Sequence, residues 1–153
     1  MTAAISPYWG LLHYELYESK GPSVPGTATQ RFCNFIRTLV ESKIEEKTLD
    51  KEAGFYFIMD NAPSHNKEAI KEVLKGTPHE VLFLPPYTPQ FNPIENIFGI
   101  WKTDAHNATM NSLDDLKSMI EAGAKRVTRD ACLGSYSASV DDWYKRALIR
   151  TDF

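Results

Sequence analysis

Two hydrophobic rhythms run along this chain, and the places where one gives way to the other mark its elements. Near the N-terminus Leu12, Tyr14 and Leu16 alternate with His13, Glu15 and Tyr17, the period-two pattern of a strand with one buried face. This predicts strands at residues 2–5 and 11–17, joined by the turn residues Ser6, Pro7, Tyr8, Trp9 and Gly10. After a polar loop over 19–29, rich in Gly and Pro, the period changes. Phe32, Phe35, Ile36, Leu39, Val40 and Ile44 recur at helical spacing and predict a helix over 29–46. A charged, solvent-exposed connection over 45–53 leads to Gly54-Phe55-Tyr56-Phe57-Ile58-Met59, the most hydrophobic stretch of the chain. It is too short for a core helix and reads as a strand buried on both faces.

The second half continues the alternation. A helix is predicted over 66–75, stopped by Gly76, and residues 81–84 read as another buried strand. Pro85, Pro86, Pro89 and Pro93 then predict an extended, rigid loop over 85–93. Asn92 and Pro93 look like the N-cap and first position of a helix running to about residue 105. A further helix over 112–128 starts with Ser112 as cap and Asp114 and Asp115 in its first turn, and a last short helix covers 140–148. Strands alternating with helices imply an α/β fold, a mixed or parallel sheet covered on both faces. At 153 residues one domain is expected.

Composition changes this picture little. An apolar fraction of 42% supports a packed core and argues against disorder. A net charge of −3 is not that of a strongly basic nucleic-acid module, although local basic faces can coexist with it. Cys33 and Cys132 are far apart and show no metal spacing, which reads as two reduced thiols. No apolar run is long enough to span a membrane and no secretory signal is visible, so an intracellular protein is expected, nuclear if eukaryotic.

Chemistry concentrates at two carboxylates. Asp60 ends a predicted strand, and in open α/β sheets ligands gather beyond the carboxyl ends of strands. Glu95 follows the next strand and its proline loop, in the first turn of a helix. Carboxylates held on rigid backbone suit a hard cation such as Mg²⁺ or Mn²⁺, which takes oxygen ligands and assists phosphoryl transfer. Both have plainer readings. Asp60 and Asn61 are ordinary turn residues. Glu95 stands three residues after Asn92 in a capping-box arrangement, and the local pattern alone favours the cap.

Two longer segments carry a resemblance. Phe57-Ile58-Met59-Asp60-Asn61-Ala62-Pro63-Ser64-His65 and Leu84-Pro85-Pro86-Tyr87-Thr88-Pro89-Gln90-Phe91-Asn92-Pro93-Ile94-Glu95-Asn96-Ile97-Phe98 resemble the two signatures of the DDE transposases of the mariner type and their insertion-sequence relatives. The 34 residues between Asp60 and Glu95 match the spacing of that group, and Trp101-Lys102 looks like its helix after the glutamate. The resemblance extends from the first hairpin to about residue 128. It implies a ribonuclease H-like fold and metal-dependent DNA strand cleavage and strand transfer. Asp60 and Glu95 would then be the second and third metal-binding carboxylates of a catalytic triad.

The departures matter as much. The family's first aspartate lies on a strand preceding the hairpin, and none of Glu15, Glu18, Glu41, Glu45, Glu46, Asp50 and Glu52 replaces it convincingly. The expected sheet therefore lacks its central first strand. Either the hairpin pairs directly with the strand at 55–59, or another copy or a partner chain completes the sheet. The chain is expected to be inactive alone. The alternative is a non-catalytic, transposase-derived nucleic-acid-binding or interaction protein. Another ribonuclease H-like nuclease is disfavoured by the proline-rich signature. Supporting roles fall to His65, which either positions DNA or an attacking water near Asp60 or simply makes a local hydrogen bond at a helix start, and to Asn61, Asn92 and Asn96 as partners orienting the carboxylates, with turn and cap as the plainer readings of Asn61 and Asn92. Tyr87 and Lys102 are weaker candidates for DNA contact, and for Tyr87 and Phe91 packing of the proline loop is the competing reading. Lys67, Lys71 and Lys75 share a helical face, either solvated or facing phosphate. His13, His79 and His106 show no ligand spacing. Trp9, Trp101 and Trp143 read as core or partly buried anchors.

Overall fold

The computed structural model describes residues 1–17, 26–44, 47, 54–107 and 112–144, the side chains of 103–107 and 142–144 excepted. Residues 19–25 of the loop predicted over 19–29, the connection over 45–53 with its acidic residues, the helix beyond 144, and the side chains of His106 and Trp143 lie wholly or mainly outside that set, and residues 27–29 are helical rather than loop. The chain packs as two compact units. One holds Met1–Ala4 and Leu12–Thr88, the other Ile5–Leu11 and Pro89–Phe153.

The hairpin forms as predicted, with β1 at Thr2–Ser6 and β2 at Gly10–Glu15. Its turn is closed by the Ser6 hydroxyl, which accepts from the Tyr8 amide at 3.1 Å. Gly10 has φ 79°, and a Cβ there would lie 3.2 Å from the Arg129 backbone nitrogen, so the position favours glycine twice over. The Arg129 Nε–H donates to the Tyr8 carbonyl at 2.8 Å on the same turn.

In the first unit α1, Thr27–Thr38, runs into a π-helical stretch at Leu39–Ile44. The predicted helix is thus continuous through Ile44, and its last part is underwound to i→i+5 bonding. Ser42 lies inside that stretch and its hydroxyl donates back to the Thr38 carbonyl at 2.6 Å, the kind of back-bond that bends helices. The apolar positions read from the sequence all face one core, where Phe35, Ile36 and Leu39 are buried against Met59, Ile70 and Leu74. Each such side chain contributes roughly 1.5–3 kcal/mol through burial.

β3, Tyr56–Met59, and β4, Glu80–Phe83, pair in parallel with Tyr56 opposite Glu80 and Met59 opposite Phe83. Between them α2, Lys67–Leu74, is capped by the Asn66 side chain, which accepts from the Ala69 amide at 2.9 Å. The strands correct the expectation of burial on both faces. Phe57, Met59, Val81 and Phe83 pack on the core, whereas Tyr56 is 69% and Leu82 48% exposed. A strand alternates its side chains between faces, and only one face of this pair is covered within the unit. β1–β2 and β3–β4 remain separate two-stranded sheets, so the hairpin does not pair directly with β3 among the described residues.

The second unit is helical. The proline loop is not extended: Pro89–Phe91 is a 3₁₀ turn, a conformation that proline's fixed φ permits. α3, Pro93–Asn107, packs against α4, Leu113–Arg126, and α5, Arg129–Tyr136. Ser112 caps α4 as expected, accepting from the Asp115 amide at 3.1 Å. The predicted helix end at 128 is instead a break at Val127 and Thr128. Thr128 caps a new helix, accepting from the Ala131 amide at 3.1 Å, and a π-helical stretch, Ser137–Tyr144, follows. Trp101 is the anchor of this unit. Its indole N–H donates to the Ile120 carbonyl at 3.0 Å.

Candidate active site

Asp60 stands one residue beyond β3, where the strand leaves its pairing with β4. Its carboxylate is 51% exposed. The backbone turns at once: the Ala62 amide donates to Asp60 Oδ1 at 3.0 Å, and the His65 amide donates to the Ala62 carbonyl at 2.8 Å. The turn reading of Asp60 is therefore correct as far as it goes, but it engages one carboxylate oxygen only. His65 folds back over the same residue. Its Nδ1 lies 2.8 Å from Asp60 Oδ1 and 3.2 Å from the Asp60 carbonyl oxygen. Both neighbours are acceptors, so Nδ1 carries the hydrogen. The ring rests on Phe32 of α1 with centroids 4.0 Å apart.

Asn61 does not orient Asp60. Its amide donates to the Leu84 carbonyl, while the Leu84 amide donates to the Met59 carbonyl at 2.9 Å. Asn61 therefore ties together the ends of β3 and β4 and holds the strand edge from which Asp60 projects.

Glu95 lies in the first turn of α3, half-buried. In a capping box its carboxylate would accept from the Asn92 amide. That amide donates instead to the Pro89 carbonyl at 2.9 Å, closing the 3₁₀ turn, so the box is not formed and the carboxylate is not spent on a cap. Asn92 is buried beneath the turn. Asn96 faces away from this role: its amide donates to the Ser135 hydroxyl at 3.2 Å, and Ser135 donates to the Pro93 carbonyl. Ser135, invisible as a site feature in the sequence, thus anchors the start of the Glu95 helix from α5.

Tyr87 is fully exposed and adopts φ 61°, rare for a non-glycine residue. It does not pack the proline loop. Thr88 closes that turn by donating to the Pro85 carbonyl at 2.6 Å. Lys102 is exposed on α3. Of the α2 lysines, Lys67 lies 5.0 Å from the centre of the Phe83 ring and Lys75 pairs with Glu72 at 3.3 Å. Glu15 is already engaged: His13 Nε2 lies 3.0 Å from its Oε1, and the Tyr17 hydroxyl donates to its Oε2.

Among the described residues no three His, Cys, Asp or Glu side chains gather as a metal-binding group. Asp60 nevertheless suits a hard cation, because Mg²⁺ binds through one or two carboxylates and keeps several waters. No helix among the described residues is long and apolar enough to cross a membrane. Both cysteines are free and buried, and burial raises their thiol pKa.

Comparison with known proteins agrees with the signatures. No curated protein matches the chain. Two solved structures share its fold: the catalytic domain of the Mos1 mariner transposase, and the Mos1 catalytic domain with raltegravir and Mg. Each has a TM-score of 0.75 and 19% identity over 99% of this chain, covering 73% and 74% of the respective Mos1 chains. The family model for DDE superfamily endonucleases matches residues 25–117, a span that includes α1, both strands of the parallel pair, Asp60 and Glu95. A match over more than half of the chain makes it a member of the DDE superfamily endonucleases, built on the ribonuclease H-like fold of mariner transposase catalytic domains.

Proposed function

We propose that residues 1–153 form one partial catalytic domain of a transposase-type nuclease, in which Asp60 and Glu95 are metal-binding carboxylates serving DNA strand cleavage and strand transfer. The observation that carries this reading is the state of Asp60: an exposed carboxylate at a strand end, with its turn contacts confined to Oδ1. Glu95 supports it, because the amide that would make it a cap is bonded elsewhere. Mg²⁺ or Mn²⁺ is the fitting ion. When bound, it would activate an attacking oxygen and stabilise a leaving one. The chain's own contribution is to hold the carboxylates: Asn61 fixes the strand end beneath Asp60, and Ser135 fixes the first turn of α3 beneath Glu95. DNA is the substrate and partner this chemistry serves. Tyr87 offers an exposed ring for stacking on a base, and Lys102 an exposed charge for phosphate.

Within these residues the family's first carboxylate has no counterpart, so the 153-residue chain is proposed to be inactive alone. A supercoiled plasmid incubated with the purified chain and Mg²⁺ or Mn²⁺ tests this. The expected result is no nicking above a metal-only control. Nicking that Asp60→Ala abolishes would overturn the inactivity while supporting the site. Binding of DNA that ignores both metal and Asp60 would favour the non-catalytic alternative.

A further inference from the structure

A carboxylate rotates easily about its last torsion, so a lone Asp at a strand end can offer a cation one oxygen or two. Asp60 is not free in this way. Two groups converge on its Oδ1: the Ala62 amide donates to it at 3.0 Å, and His65 Nδ1, hydrogen-bonded to the Asp60 carbonyl at 3.2 Å, lies 2.8 Å from it. Each group is itself held. Ala62 sits in a turn closed by the His65 amide, and the His65 ring lies on Phe32, which is only 8% exposed in the core.

We infer that His65 is a positioning residue that pins Oδ1 of Asp60, leaving Oδ2 as a single-oxygen ligand and so favouring Mg²⁺ or Mn²⁺ over Ca²⁺. The inference rests on the proposed role of Asp60 as a metal ligand. Small octahedral cations take a carboxylate through one oxygen, whereas Ca²⁺ accepts either one oxygen or both. A donor fixed on Oδ1 works against the two-oxygen mode and fixes the direction of the other oxygen before the ion arrives. Phe32 belongs to the device because it sets the plane of the imidazole, and it links the core helix α1 to the strand end.

Two substitutions separate the N–H from the ring. His65→Phe keeps an aromatic surface against Phe32 and loses the donor. His65→Asn loses the ring but can place an amide N–H near the position of Nδ1. Mn²⁺ binding to the full 153-residue chain is measured by electron paramagnetic resonance, and Ca²⁺ by competition. His65→Phe is expected to weaken Mn²⁺ by about 10-fold or more, the usual cost of losing a partner that orients a ligand. Ca²⁺ is expected to weaken by a smaller factor, and His65→Asn to recover most of the Mn²⁺ affinity. Unchanged Mn²⁺ affinity in His65→Phe, or an equal loss in His65→Asn, would overturn the inference. The Asp60→Ala chain is the control. Mn²⁺ binding that survives in it, or no Mn²⁺ binding by the parent, would instead overturn the reading of Asp60 as a ligand.

Discussion

The Trp101 indole lies so close to α4 that a Cβ on residue 123 would sit 2.1 Å from its Cδ1. Gly123 is therefore a space requirement in a helix where glycine is otherwise unfavourable. Gly123→Ala should lower stability by roughly 1–3 kcal/mol through overpacking, despite the better helix propensity of alanine. Gly134 on α5 is the comparison, since nothing lies within 4 Å of its absent Cβ. Gly134→Ala should be stabilising by roughly 0.4–1 kcal/mol. Urea denaturation of the two variants checks the opposite signs. Neither effect was legible in the sequence, where Gly123 stands between two alanines and Gly134 between Leu133 and Ser135, and neither pair says what lies opposite. Asp60 and Glu95 show the same limit in another form. Turn, cap and ligand use the same residue types at the same spacing, and only the hydrogen bond from the Asn92 amide to Pro89 separates them for Glu95.

Elements with a strong apolar period were readable. The i, i+3, i+4 recurrence from Phe32 to Ile44 locates α1 and its buried face, and Ser112 with Asp114 and Asp115 locates the start of α4. The π-helical continuation was hidden, because a change of hydrogen-bond partner leaves the apolar pattern almost intact. α5 was missed because neither Gly nor Pro marks the break at Val127. The signal was there in Thr128 followed by Asp130, a cap and a first-turn acid. For β3 the apolar run identified a strand, but it could not tell which side chains would be covered. The connection between β3 and β4 carries a testable titration. His79 Nδ1 accepts from the Phe55 amide at 3.3 Å, and burial pushes the His79 pKa below its ordinary value. The folded chain then binds fewer protons than the unfolded one. The stabilisation is complete above the unfolded value of about 6.5 and is lost as pH falls below it. His79→Gln keeps an acceptor without titrating, so its unfolding free energy should fall less between pH 7 and pH 5 than that of the parent. Parallel pH profiles of the two chains would contradict the assignment.

At the scale of the whole molecule, the family match over residues 25–117 takes in parts of both units. The first supplies Asp60 with its turn, its histidine and its tied strand ends. The second supplies Glu95 on a helix fixed by Ser135. Under the proposed function, a modest net charge of −3 would leave DNA contact to local groups such as Tyr87 and Lys102 rather than to an overall field. The most direct test of the proposed site is calorimetric titration of the chain with Mn²⁺, repeated on Asp60→Ala and on Glu95→Ala. Weak binding by the parent that is lost in each variant is the predicted result. Binding that is unchanged when either carboxylate is removed would contradict the assignment of these two residues as the metal ligands.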